Sequence, residues 1–226
     1  MSDARADILA AVKAATPGED DEARKRLADH RAGVIPARGR LGDKARVDLF
    51  IREAERVSAT VARASSMDGV PREVARFLAK NNLPMQLKIA PDISDKSIPW
   101  TEQTLLSVEE GQADGTETAG VSRAFAGVAE TGTLVLLSGP GNPTTLSFLP
   151  PTHVVVVAAS EIVGDYEQVW GRLRAENTDP ETEAGTPFMP RNVNWITGPS
   201  RTADIEQTLL LGAHGPQRLH IVIVDG

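Results

Sequence analysis

The chain is organised around one stretch, Gly127 to Gly139, which reads GVAETGTLVLLSG. One acid and two threonines lie in a glycine-flanked turn, and the apolar run Leu134–Leu137 follows directly. A short continuous apolar run beside turn residues is typical of a strand buried on both faces, as in the interior of a parallel sheet. Because open α/β sheets build their sites at strand ends, we predict a binding site at the Glu130–Thr133 turn. The alternative is that the threonines satisfy the turn backbone and Glu130 is solvated.

The composition excludes several classes of function. A chain of 226 residues is long enough for one α/β domain with a helical extension. It has no cysteine, which removes disulfides, a thiol nucleophile and cysteine ligands for zinc or an iron–sulfur cluster. The histidines lack the close pairing of a metalloprotease helix, so we predict no metal site. A net charge of −7 with 4% aromatic residues argues against nucleic-acid binding.

The sequence also bears on location. No apolar run approaches the roughly 20 residues that span a bilayer. Acids occupy the first positions, where a signal peptide would carry a basic region and an apolar core. We therefore expect a cytoplasmic protein without a membrane span.

The first 80 residues are predicted to form a helical extension packed on the core. Apolar residues recur at helical spacing, and prolines and glycines interrupt the pattern. The predicted helices cover Asp3–Ala15, Asp20–His30, Asp43–Ser65 and Pro71 to about Lys80. Residues 81–226 are then a core that carries the site.

In this core, short strands alternate with helices, which predicts an α/β fold with a parallel-rich sheet flanked by helices. The expected strands are Gln86–Ala90, Leu105–Val108, Leu134–Leu137, His153–Ala158, Val193–Thr197 and Arg218–Val224. A helix is expected over Asp165–Ala175, and the proline-rich segment Glu176–Arg191 is a candidate lid.

A second polar segment follows the strand that ends at Thr197. Gly198 allows a turn, and Ser200 or Thr202 suits the N-cap of a helix running to Gly212. Asp204 would lie at the positive end of that helix, which would form an anion pocket. Simple helix capping is the alternative. For His214, in the next turn, the alternative is a hydrogen bond to backbone.

Four motifs occur in this order: Ala129–Thr133, Leu149–His153, Thr197–Glu206 and Gly212–Pro216. Together they resemble the LUD domain of the lactate-utilisation protein C (LutC) family over residues 119–226. The resemblance implies a fold related to NagB, ribose-5-phosphate isomerase (RpiA) and the CoA-transferases. It also implies a role in oxidising L-lactate to pyruvate beside iron–sulfur subunits, with no cofactor on this chain and the clusters on its partners.

The resemblance also implies roles for particular residues. In the related CoA-transferases a glutamate is the nucleophile, which makes Glu130 the catalytic candidate, either as nucleophile or as general base. His214 is its candidate acid–base partner. The substrate or anion would be held by Thr131, Gly132, Thr133, Thr197, Gly198, Ser200, Arg201, Thr202 and Asp204. His153, Ser138 and Ser147 are expected to support these groups.

One departure concerns the Gly141–Ser147 loop. Many family members carry an arginine before the serine, whereas this chain has Thr144 and Thr145. If that arginine contacts a carboxylate substrate or a partner, its absence argues against lactate itself as the substrate.

Three functions remain open from the sequence. The chain is a subunit of an iron–sulfur lactate-oxidising system, a stand-alone enzyme acting on an acyl, CoA or folate substrate through Glu130, or a ligand-binding module without chemistry. No flavin or nicotinamide fingerprint is present, so the chain is not expected to oxidise lactate alone.

Overall fold

The computed structural model describes residues 4–15, 25, 29, 32–94, 96–176, 190–203, 209–212 and 214–226. The chain forms two compact units, Met1–Val34 and Ile35–Gly226. The first contains helix α1 (Ala4–Ala15), which confirms the first predicted helix. The helix predicted over Asp20–His30 lies almost entirely outside the described residues, as does most of the candidate lid.

The second unit contains four further α-helices and all the described strands. The helices are α2 (Asp43–Arg56), α3 (Val70–Lys80), α4 (Thr144–Phe148) and α5 (Tyr166–Glu176). The strands are β1 (Thr60–Ala64), β2 (Gln86–Ile89), β3 (Ser107–Glu110), β4 (Ala119–Arg123), β5 (Ala126–Val128), β6 (Thr133–Leu137), β7 (Thr152–Ala158), β8 (Ile162–Val163), β9 (Val193–Ile196), β10 (Arg201–Ala203), β11 (Leu209–Leu211) and β12 (Arg218–Val224). Among the described residues, no helix is long and apolar enough to cross a membrane.

The main sheet has six strands in the order β1-β12-β7-β4-β2-β3. Every neighbouring pair in it is parallel. One face packs on α3 through Val74 and Phe77, and the other packs on α2 through Phe50 and Ala54. Helices therefore cover both faces, as parallel sheets require, and the predicted α/β class is confirmed.

The Gly127–Gly139 stretch supplies two strands to a second, four-stranded sheet with the order β8-β5-β6-β9. Strand β6 is antiparallel to both β5 and β9, so its predicted place inside a parallel sheet is wrong. The run is continuously apolar because both faces are covered. Leu134 and Leu136 join the α2 side of the core, and Val135 packs with Val169 of α5. The Glu130–Thr133 turn therefore closes a β-hairpin.

The single helix predicted over Asp43–Ser65 is wrong beyond Arg56. Ser58 has a φ of 71°, and the chain then continues as strand β1. Thr60 pairs with His220 and Ala64 with Val224, in parallel register. Pairing with β12 outweighs the weak helical spacing of the β-branched and small residues. The segment before residue 80 thus contributes an edge strand and α3 to the same unit as the core.

The helix predicted to begin at Ser200 or Thr202 and to end near Gly212 is also wrong. Arg201–Ala203 and Leu209–Leu211 form the antiparallel strands β10 and β11, with Thr202 opposite Leu210. A tertiary pairing between the two segments replaces the local helix. Asp204 lies outside the described residues.

Candidate functional site

A cavity of about 300 Å³ lies where the amino ends of β7 and β12 meet the end of β9. It collects seven of the residues predicted for the site: Ser147, His153, Thr197, Gly198, Ser200, Arg201 and His214. Phe148, Trp195, Ile196, Pro199, Gly215, Pro216 and Leu219 complete its wall. The cavity lies at the amino edge of the parallel sheet, whereas open α/β sheets generally bind ligands at the carboxyl edge. We call it the β7–β12 pocket.

Backbone hydrogen bonds join the segments that form the β7–β12 pocket. The Ser200 amide donates to the Pro216 carbonyl at 2.8 Å, and the Gly212 amide donates to the Ser200 carbonyl at 3.0 Å. The Gln217 amide donates at 2.9 Å to the carbonyl of Pro151, the residue immediately before β7. Motifs far apart in the sequence therefore meet because the turns before β7 and β12 are held together.

The Thr197–Arg201 segment rests against the end of α2. Gly198 has a φ of 78°, and a Cβ there would lie 2.4 Å from the Val57 carbonyl oxygen. Arg201 Nη2 donates to the same carbonyl at 2.7 Å and also bonds the Ser58 hydroxyl. Both Gly198 and Arg201 therefore have a structural task beside their place in the pocket wall.

His153 lies fully buried in the wall of the pocket. Its Nε2 is 2.7 Å from the Ser122 hydroxyl of β4, a residue that the sequence reasoning missed. Burial lowers the pKa of His153 to about 3, so the imidazole is neutral at physiological pH. The available signal for Ser122 was a lone hydroxyl after the apolar residues Ala119–Val121 of the same strand.

Four hydroxyls connect the Glu130–Thr133 turn to the pocket. Thr133 Oγ1 lies 2.7 Å from Thr131 Oγ1, 2.7 Å from Thr197 Oγ1 and 3.1 Å from the Tyr166 hydroxyl. Tyr166 also lies 3.0 Å from Thr131 Oγ1. The sequence reasoning missed Tyr166, although it is the chain's single tyrosine and begins α5. Within the network, Thr197 lines the pocket, whereas Thr131 and Thr133 do not.

Glu130 is buried but does not line the β7–β12 pocket. Its Oε2 lies 4.0 Å from Nε of the exposed Arg38. Gly132, with a φ of 65°, lies against α2, where a Cβ would approach the Ala54 nitrogen to 2.3 Å. The turn thus packs on a helix, and its acid is separate from the residues gathered around His153.

The other predicted residues have local contacts. Ser138 accepts a hydrogen bond of 2.8 Å from the Asn192 amide and lies outside the pocket wall. Thr145, in the loop that departs from the family pattern, accepts one of 3.2 Å from the Ala113 amide. That loop continues as α4 and supplies Ser147 to the pocket. No group of three or more potential metal ligands occurs among the described residues.

Comparison with known proteins gives consistent matches. Residues 47–224 match the model of the LUD domain family. A lactate utilization protein C from Geobacillus sp. (strain WCH70) is 41% identical over 115 residues, which cover 50% of this chain and 45% of the relative. One from Halalkalibacterium halodurans is 35% identical over 125 residues, covering 55% of this chain and 50% of the relative. The chain therefore matches about half the length of these relatives.

A solved structure shares the fold. The crystal structure of a DUF162 family protein from Deinococcus radiodurans superposes with a TM-score of 0.55 and 19% identity, covering 81% of this chain and 99% of that one. At this identity the likeness shows the fold alone. The family match covers most of the chain, and the resemblance predicted from the four motifs is confirmed. The chain belongs to the LUD domain family.

Proposed function

We propose that this chain binds a small carboxylate, L-lactate or pyruvate, as one component of a lactate-utilisation system. The names of its relatives support the pathway. The observation that carries the proposal is the β7–β12 pocket, in which hydroxyls, two imidazoles and a guanidinium converge. Its volume of about 300 Å³ suits a small metabolite.

The pocket offers a distinct group to each part of such a ligand. Nη2 of Arg201 donates hydrogen bonds to Val57 and Ser58, at the end of α2. The other guanidinium N–H groups would donate hydrogen bonds to the carboxylate. The hydroxyls of Ser147, Thr197 and Ser200 would bond its oxygens. His214 is the exposed imidazole of the pocket wall and would exchange a proton with the C2 hydroxyl.

Oxidation of lactate to pyruvate removes two electrons and two protons, so an electron acceptor is required. This chain has no cysteine to bind a cluster and no flavin or nicotinamide fingerprint. We therefore propose that the acceptors are iron–sulfur clusters on partner subunits, and that this chain holds substrate or organises those partners in the cytoplasm. Under this proposal the chain is a component rather than a complete enzyme.

Calorimetric titration of the full chain with L-lactate and with pyruvate tests the binding step. We expect Ser147→Ala, Ser200→Ala and His214→Ala each to weaken binding several-fold, because each removes a polar group from the pocket wall. Ser107→Ala, an exposed serine on β3, is the matched control and should bind as the wild type does. Failure of the wild type to bind either acid would contradict the proposal.

Anaerobic dye reduction with lactate and iron–sulfur proteins from the same genome tests the role in the system. We expect activity to require the chain and to fall with the pocket variants. Glu130→Gln separates the alternatives, since Glu130 lies outside the pocket wall. If Glu130→Gln alone abolished activity, chemistry at the hairpin turn would replace our assignment. If the chain made no difference, the lactate proposal would be wrong.

A further inference from the structure

The buried imidazole in the β7–β12 pocket has one nitrogen occupied and one free. His153 has no exposed surface, and its Nε2 lies 2.7 Å from the Ser122 hydroxyl, which is equally buried. Its Nδ1 is buried and has no hydrogen-bond partner among the described residues. A buried polar atom without a partner is costly, and such atoms recur where a ligand supplies the missing bond.

The position of Ser122 follows from the sheet register. His153 lies opposite Gly120 of β4, so Ser122 is two residues further along that strand and on the same face. On its other side His153 lies opposite Leu219 of β12, which also lines the pocket. His153 is therefore positioned by the sheet register rather than by a loop, and it borders the cavity.

Counting donors and acceptors decides the tautomer. In one arrangement the Ser122 hydroxyl donates to Nε2, the proton of the neutral ring is on Nδ1, and only that N–H lacks a partner. In the other, Nε2–H donates to Ser122. The Nδ1 lone pair then lacks a partner, and the Ser122 proton has no acceptor among the described residues. The first arrangement leaves one unpaired group and the second leaves two.

A doubly protonated ring is excluded by its surroundings. Burial holds the pKa of His153 near 3, so at neutral pH the ring carries one proton. A neutral imidazole that donates through one nitrogen polarises a ligand oxygen without bringing a full charge into the buried wall.

We propose that Ser122 is a positioning residue that fixes His153 as the Nδ1–H tautomer, and that this N–H donates a hydrogen bond to an oxygen of the ligand. The inference rests on the proposed binding function of the pocket. It assigns His153 the role of a neutral donor rather than of a general base. It also defines the ligand at this point as a hydrogen-bond acceptor, which a metal ion or an ammonium group is not.

The tautomer is measured first, by long-range ¹H–¹⁵N correlation spectra of the uniformly labelled full chain at pH 7. We expect the His153 signals of a protonated Nδ1 and an unprotonated Nε2. In Ser122→Ala the populations should move toward the Nε2–H form, and Ser122→Thr should restore them. A wild-type ring protonated at Nε2 would overturn the proposal. The wild-type spectrum needs no ligand, so it stands even if lactate binding fails.

Binding then tests the contact, with L-lactate, pyruvate and propionate as probes. Asparagine places an N–H near the position of Nδ1, whereas glutamine mimics Nε2. We therefore expect His153→Asn to bind within about threefold of the wild type and His153→Gln to bind at least tenfold more weakly. Ser122→Ala should weaken binding and Ser122→Thr should recover it, while Ser107→Ala serves as the control.

The probes locate the accepting oxygen. If His153→Gln loses the same affinity for all three acids, the hydrogen bond is to the carboxylate. If the variant loses affinity for lactate and pyruvate but not for propionate, the hydrogen bond is to the C2 oxygen, which propionate lacks. Binding of all three that is unchanged in folded His153→Gln would overturn the proposal. A wild type that binds none of the probes, with the Nδ1–H tautomer observed, would contradict lactate as the ligand and leave the donor assignment in place.

Discussion

Thr133 and Thr197 share a hydrogen bond of 2.7 Å between their Oγ1 atoms, although 64 positions separate them in the chain. The bond joins the hairpin turn before β6 to the end of β9, which are adjacent antiparallel strands. Thr133 is fully buried and also contacts Thr131 and Tyr166. Through this bond the two polar motifs of the sequence become one network, with only its Thr197 end in the pocket wall.

Thr133→Val is expected to lower the free energy of unfolding by about 1–3 kcal/mol, because it removes the one buried hydroxyl of the network, on which the hydroxyls of Thr131, Tyr166 and Thr197 converge. Urea denaturation followed by circular dichroism measures the change. Thr118→Val is the matched control, since its hydroxyl makes only a 3.3 Å bond to the Gln86 carbonyl. It should change stability by about 0.5 kcal/mol or less. Equal effects of the two substitutions would contradict a structural role for the network.

Gly198→Ala is expected to displace the pocket wall. The residue has a φ of 78°, and a Cβ would meet the Val57 carbonyl oxygen at 2.4 Å. Backbone strain of this kind costs about 1–3 kcal/mol. Thermal unfolding and amide exchange of Gly198, Ser200 and Arg201 measure the effect. Gly139→Ala provides the control, because nothing lies within 4 Å of the position that its added methyl group would take. If Gly198→Ala were as stable as Gly139→Ala, the predicted clash with the Val57 carbonyl oxygen would be contradicted.

Arg201→Met should loosen the segment from α2 while keeping much of the side-chain length. The guanidinium donates to the Val57 carbonyl and the Ser58 hydroxyl. Because Arg201 is exposed, we expect a stability loss of only about 1 kcal/mol. Amide exchange should therefore increase locally, at Gly198, Ser200 and Arg201, more than across the sheet. Uniform acceleration over the whole chain would contradict a local anchor.

His220→Gln is expected to make the protein less sensitive to acid. Burial is the main cause that lowers the pKa of His220 to about 4, and Arg76 and Lys80 add to it. The histidine of the unfolded chain, with a pKa near 6.5, binds a proton more readily than the buried one. Its contribution to the free energy of unfolding is therefore complete above pH 6.5 and declines as the pH falls toward 4. At pH 5 the decline is about 2 kcal/mol for this residue.

The measurement is the urea unfolding free energy at pH 7.5 and at pH 5, in wild type and variant. Comparing the two pH values within each protein cancels any constant cost of the substitution. Asp92, whose pKa burial raises to about 6, titrates in both proteins and cancels as well. An equal fall in stability for both proteins would contradict a buried neutral His220.

The spacing of apolar residues predicted correctly those helices and strands whose apolar positions are the buried ones. The β-branched run of β7 and the closing strand β12 lie in the main sheet as expected, and α3 begins near Pro71. The errors fell where two segments pair across the chain. Leu209–Leu211 is apolar enough for a helix, but it pairs with Arg201–Ala203 as a strand. Local spacing cannot reveal such a partner, because the stabilising contact is non-local.

The same distinction applies to the site. Polar residue types and glycine turns identified the motifs, and seven of the named residues do line one cavity. Ser122 and Tyr166 were missed, because the role of a single hydroxyl depends on the residues opposite it in the fold, His153 for Ser122 and two threonines, Thr131 and Thr133, for Tyr166. Glu130 was named for its place after a strand, yet its carboxylate lies toward Arg38 and not in the pocket wall.

By itself, the sequence determined the α/β class, the family motifs and the absence of thiolate chemistry, because these depend on residue type and short-range order. Only the tertiary structure decided that Leu134–Leu137 belongs to an antiparallel sheet and that the pocket opens at the amino edge of the parallel one. It also decided that His153 faces Ser122. The physical reason is that strand partners, and therefore the neighbours of every buried polar atom, are fixed by burial across the whole core rather than by the local chain.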